Sequence, residues 1–146
     1  MIRRQAIVLL ALAGLLVATY LWLYKIGVFG ELQCGTGSCE LVQASRYAEL
    51  FGLPVALYGV GGYAALFVVG LAGLQPRFAA DRRVAWLLAT LATVGFTLTL
   101  YLTGIELFVL HAICRWCVAS AAIMTTVWLL SVAGLRATPS GTAPTR

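Results

Sequence analysis

Ile113-Cys114-Arg115-Trp116-Cys117-Val118 stands at the mouth of the last long apolar run of the chain. Two cysteines three positions apart lead into an uncharged stretch that lasts to Leu135. In a soluble chain a C-x-x-C pair has several bland readings. At the edge of a bilayer, with a second pair elsewhere, it has fewer. The second pair here is Cys34 and Cys39.

The membrane reading follows from composition. Of 146 residues, 62% are hydrophobic and only 10% are charged. The mean hydropathy is +0.96. A water-soluble domain of this size needs far more polar surface. The apolar residues come in long blocks, so the class is all-α integral membrane. The net charge of +5 does not point to nucleic acid, because the basic residues sit at the ends of apolar blocks. That is where orienting charges belong.

The chain before the opening stretch divides accordingly. Ala6 to Tyr24 is uncharged and long enough to span, and no A-x-A cleavage pattern follows it before Lys25. It is read as a retained first transmembrane helix rather than a signal peptide. Lys25 to Leu53 is the longest polar segment, and it holds Cys34 and Cys39. Residues 40–51 carry apolar side chains at 41, 44, 47, 48 and 51, which predicts a short amphipathic helix on the membrane surface. Gly52 is its expected stop. Pro54 suits the first turn of a second span, 54–74. Its Gly59, Gly61, Gly62 and Gly70 are expected to let a neighbouring helix approach. A loop, 75–83, with Pro76 and three arginines leads to a third span, 84–105, with threonines at 90, 93, 97, 99 and 103. The fourth span is expected over 113–135. The remaining 136–146 is expected as a flexible tail.

Four spans put both termini on one side. That side holds Arg3, Arg4, Arg77, Arg82, Arg83, Arg136 and Arg146, and the other holds Lys25, Arg46 and Arg115. The bias assigns the termini to the cytoplasm and both cysteine pairs to the outer face. Two cysteine pairs on an oxidising side suit thiol–disulfide chemistry.

At a helix N-terminus, Cys114 meets free N–H groups and a dipole that favour the thiolate, the reactive form. Arg115 adds positive charge. The spacing to Cys117 brings the two sulfurs within reach across one turn. The plain alternative is two buried cysteines acting as small hydrophobes. Gly35 and Gly37 let Cys34 and Cys39 close a tight loop, as a static staple or as a pair that a partner reaches. His111 with the four cysteines offers five donors, and Zn2+ takes four. A metal-handling membrane protein is therefore the competing class. Glu106 reads either as part of a proton path or as a solvated boundary residue. Ser45, Ser120 and the third-span threonines serve either a ligand or another helix. Trp116 joins Tyr20, Trp22, Tyr24 and Tyr101 in an interfacial belt, or walls a flat apolar ligand.

Three stretches together resemble the bacterial vitamin K epoxide reductase family, over residues 6 to 135. They are Cys34…Cys39 with Ser45 six residues on, Phe51-Gly52-Leu53-Pro54 with Gly59 behind it, and Leu107 through Cys117. The resemblance implies a four-helix bundle over 1–135 around a quinone, ubiquinone or menaquinone. Cys117 would be the sulfur nearest that quinone, able to form an adduct or charge-transfer pair. Trp116, Ser120, Ser45 and His111 would be the residues around it. Cys114 would exchange with Cys39. Cys34 would take electrons from a separate thioredoxin-fold (DsbA-like) protein outside the membrane. The expected setting is a monomer in the lipid of the inner (plasma) membrane.

The sequence departs from the family at Arg115, where bacterial relatives commonly carry proline. Ala121 replaces the human-type tyrosine, and the second-span asparagine of epoxide-reducing members has no counterpart. These absences argue for disulfide generation over epoxide reduction. Quinones are more oxidising than protein dithiols, at about 1.4 kcal/mol for each 30 mV, so electrons are expected to flow from thiols to quinone.

Overall fold

The computed structural model describes residues 1–32, 34 and 38–137. In chain order they form α1 (Ile2–Lys25), α2 (Cys39–Ala44), β1 (Glu49–Leu50), β2 (Leu53–Pro54), α3 (Val55–Leu74), α4 (Arg82–Ile105) and α5 (Arg115–Ala137). The four long helices are each long and apolar enough to cross a membrane. Even α3, with 20 residues, reaches about 30 Å, the thickness of a bilayer core. A helix is the natural form here, since lipid offers no partner to an unpaired backbone group. The faces turned outward are apolar as well: Leu9, Leu16, Val68, Leu87, Val94 and Leu129 are all exposed.

α1 packs against α3 and α5, and α4 closes the ring by packing against the same two helices. The core is built from Ile7, Ala11, Ala18, Leu66, Ala92 and Val127. Close approach depends on glycine at particular points. A Cβ on Gly14 would fall inside the Tyr63 ring, and one on Gly70 would strike Val8. Of the four glycines expected to admit a neighbour, Gly59 and Gly70 do so. Gly61 and Gly62 face open space.

One end of the bundle is tied by arginine. The Arg4 guanidinium donates to the carbonyls of Gly73 and Phe78, fastening α1 to the end of α3 and to the loop after it. Asp81 caps α4 by accepting the Arg83 N–H at 2.9 Å. α5 starts at Arg115 and continues to Ala137, into the stretch expected as tail. The rest of that tail, 138–146, lies outside the described residues.

The other end carries the cysteines, and here one expectation is corrected. The surface helix does not run from 40 to 51. α2 ends at Ala44 because the Ser45 hydroxyl turns back to the Val42 carbonyl at 2.7 Å while its backbone becomes extended. A 3-10 turn, Arg46–Ala48, follows. Then β1 pairs antiparallel with β2, Glu49 opposite Pro54 and Leu50 opposite Leu53. Phe51 and Gly52 form the two-residue turn, both at positive φ, as tight hairpins require. Pro54 therefore lies in the hairpin, and Val55 is the first helical residue. The inward face of the segment is Cys39, Val42 and Gln43, whereas Leu41 and Phe51 are exposed.

Candidate active site

The C-x-x-C pair is placed by the way α4 ends. Past Ile105 the chain widens into a π turn, Glu106–Leu110. The Ala112 N–H closes it on the Glu106 carbonyl at 3.0 Å, and His111 adopts a left-handed conformation. π turns of this kind concentrate at functional sites. Here the turn leaves the Glu106 side chain buried, 7% exposed, pointing back under the start of α5. Its carboxylate accepts the Cys114 N–H at 3.2 Å. The reading of Glu106 as a solvated boundary residue is thereby set aside.

Cys114 occupies the capping position of α5. Its sulfur accepts the Cys117 N–H at 3.4 Å, as a serine or aspartate oxygen would at an N-cap. The hydrogen bond from the Cys117 thiol, above all, holds the Cys114 thiol below its ordinary range. The backbone amides of Cys117 and Trp116 add to this, while burial and the Glu106 charge oppose it.

Cys34 and Cys39 are joined in a disulfide, and Cys114 and Cys117 are free. The two pairs meet. The Ser38 N–H donates to the Ile113 carbonyl at 3.1 Å, one residue before each of Cys39 and Cys114. Arg115 donates to the Cys34 carbonyl at 3.2 Å. Cys39 and Cys114 share one cluster with Leu21, Leu32, Val42 and Ala112. They are 1% and 0% exposed, whereas Cys34 is only half-buried. Of the two residues of the disulfide, Cys34 is the more exposed. Among the described residues no three His, Cys, Asp or Glu side chains gather as a metal set.

Below this junction lies a cavity of about 140 Å3 among all four long helices, roofed by α2 and the 3-10 turn. Its walls are mostly apolar, with Leu21, Val55, Leu98, Leu102 and Met124 among them. The polar groups on it are few. Cys117, Gln43 and Glu106 stand at the upper end. The Gln43 amide donates to the Cys117 sulfur at 3.6 Å. Lower down, the Tyr63 hydroxyl bonds the Ser120 hydroxyl and carbonyl, both at 2.9 Å. Ala121 leaves room where a larger side chain would fill the space. An apolar cavity of about 150 Å3 admits benzene, so this one has room for a flat ring. An apolar slot with a small polar set is also what ligand sites usually offer.

Of the residues expected around a quinone, Cys117, Ser120 and Ser45 line this cavity. Trp116 and His111 do not. Trp116 packs its ring 5.0 Å from that of Tyr20, and Tyr20 in turn meets Phe29 at 5.5 Å. His111 is exposed at the end of the π turn. The hydroxyls of Thr93, Thr97 and Thr99 bond carbonyls of their own helix. Gln43 and Tyr63 escaped the sequence reading. Gln43 is four residues from Cys39, hence on the same helical face. Tyr63 is a hydroxyl-bearing ring in the middle of a span.

A four-helix membrane protein with a free thiol pair, a neighbouring disulfide and a ring-sized cavity is built as a membrane oxidoreductase. The chain belongs to the vitamin K epoxide reductase family, whose model matches residues 5–132. Members are membrane oxidoreductases associated with quinones and thioredoxin-like partners.

Proposed function

We propose that this protein oxidises a thioredoxin-fold dithiol partner and passes the electrons to a membrane quinone, ubiquinone or menaquinone. The observation that carries the reading is the contact between the two cysteine pairs directly above the cavity. The reading is supported by a disulfide and a thiol pair that share one cluster at the end of an apolar cavity.

The thiol steps balance as exchanges. A partner thiolate attacks Cys34, the Cys34–Cys39 bond breaks, and Cys39 leaves as thiolate. Cys39 attacks Cys114 of an oxidised Cys114–Cys117 pair, and Cys117 leaves as thiolate. The partner's second thiol releases Cys34 and takes the partner away oxidised. Cys34 then attacks Cys39, restoring the loop disulfide and leaving Cys114 and Cys117 reduced. The cycle ends with Cys34 and Cys39 joined and Cys114 and Cys117 as thiols, the same pairing as described above.

A bound quinone supplies the acceptor for two electrons and two protons. Cys117 is the thiol on the cavity wall. The Gln43 amide steadies its sulfur, and the Tyr63–Ser120 hydroxyl pair offers a donor to a ring oxygen. Burial of Cys39 and Cys114 keeps small thiols from short-circuiting the exchange. The setting is the inner (plasma) membrane as a monomer, with termini cytoplasmic and the cysteine end outside, supported by the arginine bias of the other end.

The test is quinone-dependent oxidation of a reduced thioredoxin-fold protein by the purified chain. Changing Cys114 and Cys117 together to alanine is expected to abolish it. Retained activity in that variant would overturn the reading.

A further inference from the structure

Glu106 is a carboxylate in a place where carboxylates are almost never found unless paired. It is 7% exposed. Among the described residues the one side-chain ion pair is Lys25 with Glu49, at 3.5 Å, so no cation offsets Glu106. Its carboxylate accepts the Cys114 N–H at 3.2 Å. It also lies on the cavity wall beside Cys117. Capping the Cys114 N–H does not call for a charge. A neutral glutamine oxygen would accept the same bond without the cost of burying a carboxylate. The position thus has a use for a group that can take up a proton.

We propose that Glu106 accepts the proton of the Cys117 thiol when the Cys114–Cys117 pair is oxidised and releases it into the cavity. This rests on the quinone-linked function above and assigns it a proton-transfer residue. Each turnover breaks two S–H bonds, forms one S–S bond and yields two electrons and two protons. The electrons pass from the sulfurs to the acceptor in the cavity. The Cys117 proton travels through Glu106, which returns to carboxylate when it hands the proton on. The Cys114 proton exchanges with water at the loop end, and the acceptor draws its second proton from water.

The other titratable groups around Glu106 leave it this task. Tyr63 on α3 and Tyr47 on the 3-10 turn line the same cavity, and the Tyr63 hydroxyl is held by Ser120. α1 contributes Ala18 and Leu21 to the cavity, and α2 contributes Val42 and the neutral Gln43. Lys25 is engaged by the Gln43 carbonyl and by Glu49. Among the described residues no other carboxylate lines the cavity.

The experiment is turnover of dithiol partner and quinone by the full chain from neutral to alkaline pH, with Glu106→Gln, Glu106→Asp and Glu106→Ala. Gln keeps the oxygen that caps Cys114 and removes the base. It is expected to lower turnover about 100-fold at neutral pH, with the rate climbing about tenfold per pH unit as thiolate forms unaided. Asp is expected to recover much of the rate. Should Gln fail to fold, Ala with added formate asks the same question, and rescue by formate is the expected result. A Gln variant at the wild-type rate, or slowed equally at every pH, would overturn the assignment. So would an Ala variant that formate leaves unrescued. A wild-type protein that delivers no electrons to quinone would instead overturn the function itself.

Discussion

Arg115 hands one N–H to the carbonyl of Cys34 across the seam between α5 and the loop, at 3.2 Å. A proline at this position would have no such reach, so the Arg115 side chain latches the loop beside the Ser38–Ile113 backbone bond. The bond is exposed, and its net worth is about 0.5–1.5 kcal/mol. Arg115→Ala is therefore expected to leave folding intact and to speed reduction of Cys34–Cys39 by glutathione about 2- to 10-fold. Thiol trapping over time, followed by mass spectrometry, measures it. An unchanged rate would show that the latch carries no load.

Cys114 gives a pH prediction whose sign is fixed. The thiolate is the reactive form, and the thiol is held below its ordinary range chiefly by the Cys117 thiol. Reactivity should thus persist to lower pH than for a free cysteine, falling only as pH drops through the lowered value. Cys117→Ala removes the largest cause, so the fall should move to higher pH. Glu106 opposes the shift, so Glu106→Gln should move it to lower pH. The readout is the pH dependence of ultraviolet thiolate absorbance with the loop pair kept as a disulfide, so that only the inner thiols titrate. Identical profiles in all three proteins would refute the account.

The long elements of the fold were legible because lipid leaves a chain few choices. Four uncharged runs of spanning length, separated by Gly, Pro and Arg, become four helices. The segment 40–54 was not legible, because its apolar spacing satisfies a helix on paper. What decided it was local competition: one serine hydroxyl bonding Val42, and a Phe51-Gly52 turn at positive φ. At a membrane surface an exposed Leu41 or Phe51 carries little penalty, so periodicity lost its power to tell inside from outside.

The site divides in the same way. The cysteines could be found because a paired spacing is itself a chemical signal. Cys39 and Cys114 meet through Ser38 and Ile113, 75 positions apart, and no local pattern announces that bond. Glu106 was visible as an ionisable residue at a span end. Only the π turn determines that it faces inward rather than toward water.

Gly14 and Gly61 make a matched pair for the packing argument. Gly14 lies under the Tyr63 ring, whereas Gly61 has nothing within 4 Å of its missing Cβ. Gly14→Ala must displace Tyr63 and with it the Ser120 bond. The expected cost is about 1–3 kcal/mol, as for overpacking elsewhere, together with reduced turnover. Gly61→Ala should stabilise by about 0.5–1 kcal/mol through helix propensity. Thermal unfolding in detergent compares them, and equal effects would mean that the Gly14 contact does not govern the cavity.

Gln43 allows the Cys117 sulfur to be probed without disturbing the loop. Its backbone carbonyl is held by Lys25 at 2.9 Å, whatever the side chain. Its side-chain amide reaches Cys117 at 3.6 Å. Gln43→Leu therefore removes the donor and fills a similar volume while α2 stays in place. A hydrogen bond to a charged group is worth about 1.5–3 kcal/mol, so losing one that stabilises the Cys117 thiolate should slow its oxidation by about tenfold or more. Attack of Cys39 on Cys114 should slow too, since Cys117 is the thiolate that leaves, whereas attack of the partner on Cys34 should be unaffected, because that step does not involve Cys117. Rapid-quench trapping of the four thiols separates the steps. If attack on Cys34 slows and Cys117 oxidation does not, Gln43 positions the loop instead.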